Sequence, residues 1–172
     1  MKRKIADALR LAAIPRGGLE DGPILLGIVS FLTPGSGLYS YQYVVDNRRG
    51  QVSIQDVIIL VDSVNENPLL VPKEHAEPQS WTFEAGPGQV GNPPASESGT
   101  FWYWSSLQGL PFGTISPIFS FITDRAPTLV VKNNFILYTT ALAPGQGVVA
   151  YGHIVAPDFG VPFPPESPSS QD

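Results

Sequence analysis

The amino-acid sequence predicts an all-β protein: an antiparallel β-sandwich, immunoglobulin-like or jelly roll, with eight or nine strands and a short N-terminal helix. Three observations carry that expectation. Short runs alternate branched or aromatic side chains with polar ones, the period-two pattern of a half-buried strand. Turn-forming clusters recur between them about every 8 to 15 residues, a spacing of sandwiches rather than of parallel α/β folds. The chain holds 17 glycines and 18 prolines among 172 residues, about a fifth of it, against about 12% on average. Its nine Phe, six Tyr and three Trp can nevertheless fill a core, which a disordered chain cannot.

Residues 1–16 read as a helix. Ile5, Leu9 and Ala12 or Ala13 share one face, and Pro15 stops the pattern. Lys2, Arg3, Lys4, Arg10 and Arg16 stand against Asp7 there, whereas the remainder of the chain has five basic and fourteen acidic residues. A basic amphipathic arm therefore precedes an acidic body. Gly17-Gly18 and Asp21-Gly22-Pro23 break the chain before the first strand, so the arm is placed at 1–22, the sandwich at 23–156 and a Pro-rich extended tail at 157–172.

Within the body, Ile24–Leu32 reads as a strand. Glu20 and Asp21 before it, where a signal peptide needs a basic flank, argue against a secretory leader. Leu38–Val45 alternates cleanly, with Tyr39, Tyr41, Tyr43 and Val45 on one face, and Asp46-Asn47 and Arg49-Gly50 supply the turn. From Gln51 the apolar phase runs through Val52 and Ile54, then shifts to Val57, Ile59 and Val61, which predicts a β-bulge near Gln55-Asp56. Further strands are expected at 79–84, 100–105, 115–123, 128–132, 135–140 and 147–155. Two proline-rich loops are expected at 65–78 and 85–99.

Chemical motifs are sparse. With no cysteine, the chain has no disulfide, thiolate nucleophile or cysteine metal box. It contains no phosphate loop, nucleophile elbow or His-Glu-x-x-His, and nothing calls for a cofactor. Glu74, His75 and Glu77 match no established metal-ligand spacing and read as a solvated loop, and His153 reads as a half-buried strand residue. No run of about 20 apolar residues offers a membrane span. The acidic body, in which aromatics are not interleaved with Lys or Arg, argues against nucleic acid as a partner. Asp56, Asp62, Glu84 and Asp124 are the carboxylates from which a glycosidase pair would be drawn.

Trp102 and Trp104 alternate with Phe101 and Tyr103, so both faces of that strand are aromatic. Such a strand is either central between two layers or has one face covered by a partner. Trp102, Trp104, Tyr39, Tyr41 and Tyr43 are accordingly the candidate ligand or partner face. Tyr41-Gln42-Tyr43-Val44-Val45-Asp46-Asn47, Trp81, Trp104, and Ile115–Thr123 followed by Ala126-Pro127 resemble the β-sandwich domain of bacterial exported proteins of the PEP-CTERM class. The likeness spans residues 38–127 and implies an immunoglobulin-like sandwich with no catalytic residues. Pro164-Pro165-Glu166-Ser167-Pro168 in the tail lacks the apolar anchor and basic end of that class.

The leading functional expectation is a non-enzymatic structural or assembly protein, in a virion decoration or cell-surface setting. Lys2, Arg3, Lys4, Ile5, Leu9 and Arg10 would contact other copies or a larger assembly, together with residues 157–172. The alternatives are a carbohydrate-binding or adhesive module and, third, a sandwich-fold hydrolase.

Overall fold

The computed structural model describes residues 22–90, 97–128, 132–143 and 146–162. Nine strands form among them: β1 (Ile24–Phe31), β2 (Tyr39–Asp46), β3 (Ile54–Asp62), β4 (Glu74–Ala76), β5 (Thr82–Val90), β6 (Glu97–Leu110), β7 (Phe119–Thr123), β8 (Phe135–Tyr138) and β9 (Val148–Gly152). They build two antiparallel sheets, one in the order β1-β2-β7-β4 and the other β5-β6-β3-β8-β9. The chain is a β-sandwich.

The alternation in the sequence decides what lies between the sheets. Tyr41, Tyr43 and Val45 of β2 and Phe119 and Phe121 of β7 meet Val57, Ile59 and Val61 of β3, Trp102 and Trp104 of β6, and Phe135 and Leu137 of β8. The rings interlock edge-to-face: Trp102 meets Phe121 with centroids 4.8 Å apart, and Trp81 meets Phe119 at 4.9 Å. The buried phenols and one indole also find backbone acceptors. Tyr41 Oη donates to the Arg125 carbonyl at 2.8 Å, Tyr43 Oη to Val155 at 2.7 Å and Trp102 Nε1 to Leu70 at 3.0 Å. Burial pushes both phenols well above their ordinary pKa, so they stay protonated and donating.

The bulge is where the change of phase placed it. β3 pairs with β6 through Ile54↔Leu110 and then Asp56↔Ser105, so β6 advances five residues while β3 advances two. Ile54 and Val57 both face the core across this shift. Gly109 closes the extra turn of β6 at φ +71°, and a Cβ there would stand 2.5 Å from the Ile54 carbonyl oxygen.

Several boundaries differ from expectation. The segment 65–78 contains β4, a three-residue exposed strand that carries no apolar alternation to announce it. β5 runs on through Gly86-Pro87-Gly88, which reads as a loop in sequence. As a sheet edge it tolerates a proline whose missing N–H is not needed for pairing. Thr128 lies outside any strand, its N–H bonded to the Ala156 carbonyl at 3.0 Å; of the strand expected at 128–132, residues 129–131 lie outside the described residues. The body also extends past residue 156. Asp158 is buried and accepts from Ser63 N, Ser63 Oγ and Gly160 N, and Phe159 packs on Trp102 at 5.7 Å. The tail therefore begins no earlier than Gly160. The expected basic arm, with Lys2, Arg3, Lys4, Ile5, Leu9 and Arg10, lies outside the described residues, as does the chain from 163 onward. Among the described residues, no helix is long and apolar enough to cross a membrane.

Candidate functional site

The outer face of the five-stranded sheet carries a second, smaller apolar cluster, in which Ile58, Leu60, Phe101 and Ile136 are buried and Tyr103 and Tyr138 pack against them. Pairing registers set the side chains of this face in rows across the strands. Tyr138, Asp56, Ser105 and Thr82 form one row over β8-β3-β6-β5. Two residues along, Ile136, Ile58, Tyr103 and Glu84 form the next, followed by Leu60, Phe101 and Gly86. Period-two alternation means that this face is fixed by the same phase that sends Val57, Ile59, Trp102 and Trp104 inward.

Because β5 has a glycine opposite Phe101, no side chain fills that position, and a cleft of about 400 Å³ opens there. Ile58 and Phe101 are buried at its base, Tyr103, Tyr138 and Asp56 line it, and the Gly86–Val90 half of β5 forms its rim. Beyond Asp56 a second recess of about 500 Å³ is lined by Gln55, Ser80, Thr82, Ser105, Ser106 and Gln108, with fully exposed Leu107 at its edge. Asp56 lines both, so the two recesses adjoin at its carboxylate, an aromatic one on one side and an amide- and hydroxyl-rich one on the other; together they are called the trough. Ser80, on the polar rim, sits at φ 71°, a left-handed conformation that costs a non-glycine residue about 1–3 kcal/mol.

Two carboxylates face this surface, each held by a hydroxyl of β6. Ser105 Oγ donates to Asp56 Oδ1 at 2.5 Å, and Tyr103 Oη donates to Glu84 Oε2 at 2.5 Å. Burial raises the pKa of Asp56, against the pull of the Ser105 bond, and the Glu84 charge adds to the rise. The bond to Glu84 and partial burial push the Tyr103 phenol up to about 12. Among the described residues no Lys or Arg lines either part of the trough.

The side chains singled out from sequence lie elsewhere. Trp102, Trp104, Tyr41 and Tyr43 have no exposed surface, and Tyr39 packs half-buried against the same core. Trp102, Trp104, Tyr41 and Tyr43 are therefore interior residues of the sandwich and present no surface to a ligand or partner. Both sheets turn their largest rings inward, and Tyr103, on the opposite side of β6, carries the outward aromatic surface instead, with Phe101 buried beside it. The signal for that face is the double-sided aromatic pattern of residues 101–104. Tyr138 carries no such signal, because only pairing through β3 brings it beside Asp56.

The other candidate chemistries do not assemble. β4 puts Glu74 and His75 on opposite faces; His75 stacks on Phe83 at 4.2 Å and bonds Glu77 at 2.8 Å. Asp62 is buried and accepts from Val64 N and Asn65 N, while Asp124 is solvent-exposed within 4.0 Å of Lys73. Among the described residues no group of three or more His, Asp or Glu could hold a metal ion, and neither histidine is hydrogen-bonded to a serine.

No protein-family model matches the chain, and no curated protein or solved structure matches it.

Proposed function

We propose that the chain is a non-enzymatic carbohydrate-binding or adhesive module, and that the trough on the five-stranded sheet binds an uncharged polysaccharide. One observation carries this reading: Tyr103, Tyr138 and Asp56 converge on a single concave surface that continues into an amide- and hydroxyl-lined recess. Sugars present C–H faces that pack on aromatic rings and vicinal hydroxyls that donate to carboxylates and amides, so the two ends of the trough suit the two sides of a pyranose chain. The acidic lining, with no cation, disfavours uronates and sulfated glycans. The two carboxylates accept from Ser105 and Tyr103, which holds them in place as acceptors for sugar hydroxyls. The likeness of residues 38–127 to exported sandwich domains fits an extracellular polymer as ligand.

Calorimetric titration with soluble neutral glucans, xylans and mannans, and with alginate as the anionic control, tests the reading. Binding of a neutral polymer is expected, weakened about tenfold by Tyr138→Ala, a loss of about 1.4 kcal/mol. Absence of heat with every neutral glycan, or equal affinity for alginate, overturns it. Reducing ends released by the parent and not by Asp56→Asn would replace it with the hydrolase.

A further inference from the structure

We propose that β1 is a homotypic docking strand, through which two copies of this chain join their four-stranded sheets edge to edge. Among the described residues the sandwich has four sheet edges, and three are blunted. β5 carries Pro87 between two glycines, β9 is only Val148–Gly152, and β4 is three exposed residues flanked by Lys73 and Glu77. β1 is eight residues long, Ile24 to Phe31, with neither a proline nor a charge. An edge of that kind is what sheet proteins otherwise protect against, because it templates pairing.

The hydrogen-bond phase shows which groups are on offer. Leu32 N donates to Leu38 O at 3.0 Å, and β1 pairs β2 from Phe31↔Tyr39 to Ile24↔Asp46. In an antiparallel ladder the hydrogen-bonded pairs then alternate from Leu32–Leu38 through Ser30–Ser40, Ile28–Gln42, Leu26–Val44 and Ile24–Asp46. The N–H and C=O groups of Leu25, Gly27, Val29 and Phe31 consequently point off the sheet. Among the described residues none of them bonds to another segment.

The strand is complementary to itself. An antiparallel two-fold pairing centred on Ile28 sets Leu25 opposite Phe31 and Gly27 opposite Val29 on the inner face, with Ile28 opposite its own copy on the outer face. Every pair but Leu26 with Ser30 is apolar or glycine, and no like charges meet. The pairing would cover Phe31, 68% exposed in the single chain. A foreign strand would need to match this register, whereas a second copy matches it by symmetry.

Light scattering of the full chain at tens of micromolar should give twice the 18.5 kDa chain mass. Ile28→Lys should give the single mass, since two ammonium groups would meet at the axis. Mixing Ile28→Lys with Ile28→Glu should restore the doubled mass. If the substituted chains lose their circular-dichroism signature, amide exchange on the unmodified chain decides: Leu25, Gly27, Val29 and Phe31 should be protected at high concentration and exchange rapidly on dilution. A single-mass parent, or four edge amides whose exchange does not depend on concentration, overturns the proposal. The sugar-binding trough lies on the other sheet, so its affinity should be the same in Ile28→Lys, and either proposal can fail without the other.

Discussion

Ser105 Oγ donates a 2.5 Å hydrogen bond to the Asp56 carboxylate across the β6–β3 pairing, and that carboxylate stands where the aromatic and polar ends of the trough meet. Burial holds the pKa of Asp56 above its ordinary value in the folded chain. A raised folded pKa means that the native state binds the proton more tightly than the unfolded chain does. The associated stability is fully present below the unfolded pKa of about 3.9 and is lost as pH rises through the folded value. Asp56→Asn removes this loss. Urea midpoints of parent and variant should diverge in the variant's favour from about pH 4 upward; parallel curves would contradict the assignment.

Trp102→Ala should destabilise the fold by about 3–5 kcal/mol, because it empties a site packed on Phe121 and Phe159 and orphans the Leu70 carbonyl. Truncating a surface-exposed ligand platform would instead leave urea unfolding within about 0.5 kcal/mol. Equilibrium denaturation distinguishes a core tryptophan from a binding one.

Asn134 is buried and clasps Ile154 twice: its Nδ2 donates to the Ile154 carbonyl at 2.8 Å, and its Oδ1 accepts from the Ile154 N–H at 2.7 Å. Asn134→Ala leaves both backbone groups without a partner and should cost about 2–4 kcal/mol by urea denaturation. An unchanged midpoint would show that the segment following β9 is held by packing alone.

Gly109→Ala should cost about 1–3 kcal/mol, since its Cβ meets the Ile54 carbonyl oxygen and its φ is left-handed. The variant should also weaken glycan binding, because the β6 bulge that presents Ser106 and Gln108 to the polar recess would shift. Thermal melts and calorimetry on one preparation check both effects, and a variant as stable as the parent would contradict the close approach.

The layers of the fold were legible wherever alternation was clean. Tyr41, Tyr43 and Val45, then Val57, Ile59 and Val61, announced their strands, and the phase change at Gln55-Asp56 announced the bulge. Elements without a burial pattern were not legible. β4 is exposed throughout, and Pro87 in β5 imitates a loop because an edge strand does not require every N–H. The site itself was not legible. The double-sided aromatic strand was visible in sequence, yet aromatic content pointed to Trp102 and Trp104, whose size makes them the core, and not to Tyr103 on the other face. The company that Tyr138, Asp56 and Glu84 keep depends on strand order, which is decided by pairings distant in sequence.

The most direct measurement is a ¹⁵N-resolved NMR titration of the full chain with the neutral polysaccharide of highest calorimetric affinity. Backbone shifts should move at Asp56, Tyr103, Ser105, Tyr138 and Gly88–Val90, leaving β1, β2 and β7 unperturbed. Shifts concentrated on the four-stranded sheet, or none along the trough at saturating sugar, would contradict the placement of the binding surface on the outer face of β8-β3-β6-β5.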